Sequence, residues 1–366
     1  MPGRNNLSAK RNEIKRQIGS YQSLPERILD GVGSLFGARG GAFAWDVTGI
    51  PAYWLSGAAI ALFILAAGLG VSVYLREALS WRELGLMAWT AGTGSLALIA
   101  NRVNVRLFLD TFSGSALDKI LSIDDVRDLD RWLKANFSIK RPLWWGLILW
   151  PIPAVALNAN WLISNRAAYH IGPFFVTIMA CIEAIWVVYY FYPFYVSLPA
   201  RLSRYHYDLY VLDPSKSEVV GRLSELLTSL LYVAMAFIVW LTLGLATFNV
   251  LTLSSMFIFS AFVWAPTVAL YAAGQIHLSN LIMRAKWGVL NDIQTRIESF
   301  YARQDLARKD TLQVLQEMMD YHERVRNTAN SALDLRSGLN FLNALLLPVL
   351  AASLERVVAL VKDMTK

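Results

Sequence analysis

Residues 174–198 read FFVTIMACIEAIWVVYYFYPFYVSL, and Glu183 is the only charged side chain among them. At 1.5 Å per residue this stretch makes a helix of about 37 Å, enough to cross a hydrocarbon core of roughly 30 Å. It therefore predicts a transmembrane helix. Five more apolar runs flank it, at 52–74, 84–100, 142–164, 227–247 and 252–273. The run at 84–100 is the shortest, and its helix is expected to continue through Val103 and Phe108. The linker 248–251 is so short that the last two spans should form an antiparallel pair. The expected fold class is an all-α polytopic membrane protein: a bundle of about six transmembrane helices with cytoplasmic helical extensions. Its expected parts are an N-terminal region (1–50), a transmembrane domain (51–274, with cytoplasmic loops 101–141 and 199–226) and a helical tail (275–366).

Composition agrees with this reading. Charged residues are 17% of the 366 positions, where soluble chains carry about 25%. Hydrophobic residues are 55% and the mean hydropathy is +0.40. With 13 Trp, 15 Tyr and 17 Phe the chain has too much apolar surface to stay disordered. A single cysteine, Cys181, excludes a disulfide scaffold.

Of the 34 Lys and Arg, 31 fall in alternate segments that include both termini. The positive-inside rule places those segments in the cytoplasm of a cell-membrane protein. The net charge of +7 is then a topological signal, and no nucleic-acid partner is expected. The first apolar run begins too late and is too long for a signal-peptide core, so it reads as an uncleaved anchor.

Outside the spans, Ser23-Leu24-Pro25-Glu26 is a capping box with proline in the first turn. It opens an amphipathic helix (Ile28, Leu29, Val32, Leu35, Phe36) expected at the headgroup boundary, with Gly37, Gly40 and Gly41 as a hinge behind it. Ser122 starts another helix, with Val126, Leu129, Trp132 and Leu133 on one face. Its acids Asp124, Asp125, Asp128 and Asp130 read as partners of the helix dipole rather than as a cation site. Asp213-Pro214 forms a turn, and Ser215-Lys216-Ser217-Glu218 caps the helix that runs into the fifth span. Residues 275–336 show helical spacing at Leu290, Ile293, Ile297, Leu312, Leu315 and Met319, which predicts a helical hairpin or stalk. The last apolar run, 339–354, contains Pro348 and is short for a crossing. It reads as a buried or interfacial helix, with a seventh span as the alternative.

Glu183 is the intramembrane candidate, because a charge inside a span is costly and marks function by default. Counted from the outer ends of their spans, Asn158 and Asn160 lie within about one helical turn of its depth. Two readings stand beside each other: a pore or proton-relay group formed with Asn158 and Asn160, or a protonated acid bonded to a neighbouring helix. A juxtamembrane cluster of Arg201, Arg204, His206 and Asp208 is the densest titratable group in the chain. Tyr189, Tyr190, Tyr192 and Tyr195 surround Pro193, as a kinked interfacial anchor would. Ala88/Gly92 and Ala91/Ser95 have the spacing that lets helices approach closely, within the bundle or between subunits. Metalloprotease, phosphate-loop, nucleophile-elbow and dinucleotide motifs are all missing, so catalytic residues, metal ligands and cofactors are not expected.

The leading functional expectation is an oligomeric channel or transport protein gated by its cytoplasmic helices, with the lipid bilayer and further copies of the chain as partners. The alternative is a membrane-anchored sensor or scaffold that recruits a cytoplasmic protein through 275–336. An intramembrane enzyme working near lipid headgroups with Arg204, His206 and Asp208 ranks third.

Overall fold

The quoted stretch is helical. In a computed structural model, which describes residues 2–18, 20–35, 51–152, 170–247, 253–302 and 309–330, it lies in a continuous helical run from Ile171 to Leu202. Proline has no N–H and its ring collides with the carbonyl four residues back. The chain absorbs Pro193 in one widened π turn, Pro193–Ser197, and the helical run continues through it.

In chain order the helices are α1 (Pro2–Ile18), α2 (Leu24–Leu35), α3 (Ala52–Tyr74), α4 (Trp81–Thr111), α5 (Ile123–Asn136), α6 (Lys140–Leu149), α7 (Ile171–Tyr192) and α8 (Leu198–Leu202). Then come α9 (Glu218–Thr247), α10 (Leu253–Ala302) and α11 (Lys309–Arg326). No strand occurs among the described residues; a single antiparallel bridge joins Ile120 to Tyr207.

Among the described residues three helices are long and apolar enough to cross a membrane: Ala52–Tyr74, Ile171–Leu202 and Glu218–Gly244, with mean hydropathies of 2.1, 2.1 and 2.2. The run at 84–100 lies inside α4, whose 31 residues continue past Val103 and Phe108 as the pattern predicts. The run at 252–273 forms the first part of α10, a helix of 50 residues. Of the run at 142–164 only the α6 portion is described. The 248–251 linker, the glycine hinge and the 339–354 run lie outside the described residues.

Ser122 and Asp213 act as read. Ser122 accepts from the Asp124 N–H at the start of α5, whose Val126, Leu129, Trp132 and Leu133 are all buried. Asp213 caps the turn Pro214–Lys216 through the Ser215 N–H. Ser217 immediately precedes α9, where its carbonyl accepts from the Gly221 N–H and its hydroxyl from the Tyr210 N–H at 2.7 Å, while the Ser215 hydroxyl donates to Asp213. Ser80, a signal that sequence reasoning missed, opens α4 with a reciprocal capping box to Glu83.

α4 is the central helix, packed against α2, α3, α7 and α9. Around its first half the core is small: Ile60, Ile64, Met87, Ala91, Leu98, Ile99 and Val176. Leu62, Phe63, Val73 and Tyr74 on α3 are exposed, as side chains facing lipid would be. Around its second half the core is large and aromatic. Phe108 contacts Phe112, Phe194 and Trp132, with ring centroids 4.7, 5.4 and 5.6 Å away.

α2 is more deeply placed than the headgroup reading predicts. It packs on α3 and α4, and the Glu26 side chain is fully buried. Glu26 receives the Ser23 N–H at 2.8 Å and pairs with Arg106 at 2.7 Å. Asn101 donates to the Ser23 hydroxyl, and the Leu24 N–H donates to the Tyr190 hydroxyl. Once the capping box has partners on α4 and α7 its polar groups can leave water, and the helix follows them inward. Tyr190 is accordingly 1% exposed, inside the core and not an interfacial anchor.

The tail forms the predicted hairpin. α11 returns along α10, with Ile293, Ile297 and Leu315 forming their shared core. Lys286 on α10 is buried and donates to the Thr328 carbonyl and to Asn330 Oδ1, both at 2.8 Å. A cation just beyond a helix C-terminus meets the negative end of its dipole.

Candidate functional site

Glu183 sits in α7 where that helix meets α4, and only 5% of it is exposed. The facing residue is Gly94. A side-chain carbon placed there would collide with Glu183 Oε2 and press on the Ala180 backbone at 3.3 Å. The carboxyl therefore occupies space that the glycine leaves. Glu183 Oε2 has no hydrogen-bond partner among the described residues. Ser95 Oγ, next to Gly94 on α4, is buried and unpartnered among the described residues in the same way; Trp186 Nε1 is too, but it faces Gly146 on α6. Asn158 and Asn160 lie outside the described residues, so the partner described for Glu183 is α4.

Further along the seam Asn104 donates to the Tyr195 hydroxyl at 3.2 Å, and that hydroxyl donates to the Leu230 carbonyl at 2.5 Å, although Asn104 Oδ1 is buried without a partner among the described residues. Tyr195, in the π turn, thus ties α4 to α9. This end of the seam, nearer α2 and α5, is bonded across helices, while Glu183 Oε2 and Ser95 Oγ carry no bond among the described residues. A buried carboxyl with a free oxygen can take up and release a proton or coordinate a partly dehydrated cation.

The second group, Arg201, Arg204, His206 and Asp208, only partly converges. Arg201 donates to Asp128 Oδ2 at 2.7 Å, and the Tyr205 hydroxyl donates to the same oxygen at 3.0 Å. His206 meets Asp125 Oδ2 through its backbone N–H at 2.8 Å and its ring Nδ1 at 3.0 Å. Asp208 is not part of this group. It is exposed, and its N–H bonds the Lys119 carbonyl. Burial opposes the charge on Asp128, but Arg201 and Tyr205 outweigh it and hold the carboxyl below its ordinary value of 3.8. Burial, with Asp128 alongside, pushes the Tyr205 phenol up. A cleft of about 610 Å³ opens here, between α5 and the turn that joins α7 to α8.

Asp125 and Asp128 are the partners that sequence reasoning missed. Both were assigned to the helix dipole, yet they reach across to the 201–206 segment. Their i, i+3 spacing puts both on one face of α5, which is the available signal. Asp130 also crosses, to Lys10 of α1 at 3.2 Å.

No family model, no curated protein and no solved structure matches this chain.

At the opposite end of α7, Glu77 accepts from the Ile171 and Gly172 N–H groups at 2.5 and 3.2 Å. Glu83 receives the Ser80 N–H at 2.7 Å and meets His170 at 2.8 Å. Burial opposes both charges, but these bonds outweigh it and hold both carboxyls below 4.5. A depressed folded value gives stability that is fully present above the unfolded pKa and is lost as pH falls through the folded one. Thermal melts in detergent should therefore fall as pH drops from 5 towards 3. Glu77→Gln should flatten that dependence, and an unchanged slope would contradict the role given to Glu77.

Proposed function

We propose that the chain is a six-span, cell-membrane channel or transport protein that works as a homo-oligomer, with both termini in the cytoplasm. The observation that carries this reading is Glu183: an ionisable side chain buried within a candidate span, held against glycine, with one oxygen unpartnered among the described residues. A purely structural acid would use both oxygens, because an unsatisfied buried polar group costs about 1–3 kcal/mol. A site that binds and releases a proton or cation has to keep one open.

The six crossings are the three helices with membrane-spanning character, the α4 and α10 segments, and the run that begins in α6. α3, α4, α7 and α9 form the bundle around Glu183, and the bonded groups from Asn101 to Tyr195 form its gate. The oligomer is supported by the face of α4 that carries Ala88 and Gly92. Ala88 is exposed and a side-chain carbon on Gly92 would meet nothing within 4 Å, so a second copy can approach there.

Purified protein in planar bilayers should pass current, and molar-mass measurement in nanodiscs should give a defined multimer. Silence across voltage and pH, from protein shown to be folded, would remove the conduction reading. Orientation has its own test. Single cysteines at residues 10, 118 and 310 should be shielded from an impermeant reagent in intact cells, and those at 79 and 168 should react.

A further inference from the structure

The cleft between α5 and the turn that joins α7 to α8 presents two groups that nothing described here satisfies. Arg204 is exposed and has no acidic partner among the described residues. Asp125 accepts both of its bonds from His206 on Oδ2, and Oδ1 receives none from the described residues. The other two charges in the cleft, Arg201 and Asp128, already neutralise each other at 2.7 Å. What remains is one guanidinium and one carboxylate oxygen around a cavity of about 610 Å³, a volume typical of small-molecule sites.

Two Asp and two Arg give the lining no formal net charge, which suits a zwitterion better than a bare anion or cation. Location narrows the class further. Val196, Ser197 and Ala200 line the cleft at the end of the Ile171–Leu202 helix, the helix apolar enough to span a membrane. The end of a span is headgroup level, and Val196 and Ala200 offer apolar wall beside the charges. Two of these residues, Val196 and Ser197, belong to the π turn, a deformation frequent at functional sites.

We propose that this cleft binds a phosphoethanolamine group, with the phosphate on Arg204 and the primary ammonium on Asp125. Arginine matches phosphate oxygens through paired N–H donors, and a primary ammonium can donate to a carboxylate where a quaternary one cannot. Tyr195 is adjacent to Val196 and bonds both α4 and α9, so occupancy of the cleft reaches the spans through one turn of helix. The proposal requires that the 171–202 helix crosses the bilayer; it does not require that the protein conducts.

The test is native mass spectrometry of the full chain in detergent, with equal amounts of phosphatidylethanolamine, phosphatidylcholine and phosphatidylglycerol of identical acyl chains. The ethanolamine lipid should be retained about tenfold over the other two, as expected for one charge-assisted bond. Arg204→Ala should reduce retention of the ethanolamine lipid about tenfold. Asp125→Asn should leave binding of the ethanolamine and choline lipids equal. Arg222→Ala, at another exposed arginine, should change neither. Soluble glycerophosphoethanolamine separates the sources: if it displaces the lipid at millimolar concentration, the free zwitterion is a ligand, and if only the lipid binds, the headgroup is. Equal retention of all three lipids, or retention unchanged in both cleft variants, would overturn the proposal. Lipid retention is read without current, so its failure is distinct from failure of the conduction reading.

Discussion

Glu183→Gln should fold and assemble like the parent protein and lose the pH dependence of its current. The amide keeps the volume facing Gly94 and cannot ionise across the working range. Glu183→Leu makes a sharper case. Because Oε2 is buried without a partner among the described residues, leucine removes its desolvation cost. The leucine variant should melt higher than the parent, by the equivalent of about 1–3 kcal/mol, while conducting little or nothing. A group retained against stability is a group with a task. Currents from wild type, Gln and Leu variants at matched protein, from pH 5 to 9, decide the point. If the three curves coincide in a conducting protein, Glu183 is packing only.

Phe108→Ala should be the most damaging single core truncation among the aromatic residues of α4. Phe108 is fully buried and touches Phe112, Trp132 and Phe194, so it joins α4 to α5 and to the turn after α7. Removing a buried ring from a site that cannot collapse costs about 3–5 kcal/mol. Phe63 on α3 is the matched control, 75% exposed, and Phe63→Ala should be nearly neutral in detergent. Unfolding midpoints of the two variants should differ by many degrees. Equal shifts would mean that the aromatic cluster does not hold the second half of α4.

Much of the fold is legible in the chain because membrane spans and helix caps are local signals. The uninterrupted runs mark the helices, and Ser23 and Ser122 mark helix starts through short-range bonds that need no knowledge of the rest of the molecule. The depth of α2 is not legible in this way. Its amphipathic face fits a headgroup boundary as well as a protein groove, and what decides is Asn101, Arg106 and Tyr190, up to 166 positions away. Glu183 stands out because a charge within an apolar run is conspicuous. Gly94 does not, since a glycine that makes room looks like any other small residue on a close-packed face. Asp125 and Asp128 were hidden by a competing local explanation: acids in a first helical turn already have a reason to be there.

The length of α10 has a mechanical consequence. At 1.5 Å per residue its 50 residues form a rod of about 75 Å, of which a bilayer core of roughly 30 Å accounts for less than half. If the first part of α10 crosses the bilayer as proposed, the remainder, clamped to α11 through Ile293, Ile297 and Leu315 and through the Lys286 ammonium, is a lever arm continuous with that membrane end. Tilting the membrane end by about 10° would carry the far tip sideways by roughly 13 Å over that rod length. A rearrangement too small to see in the bilayer would thus become a displacement on the scale of a helix diameter, and a force on the hairpin would run the same linkage in reverse.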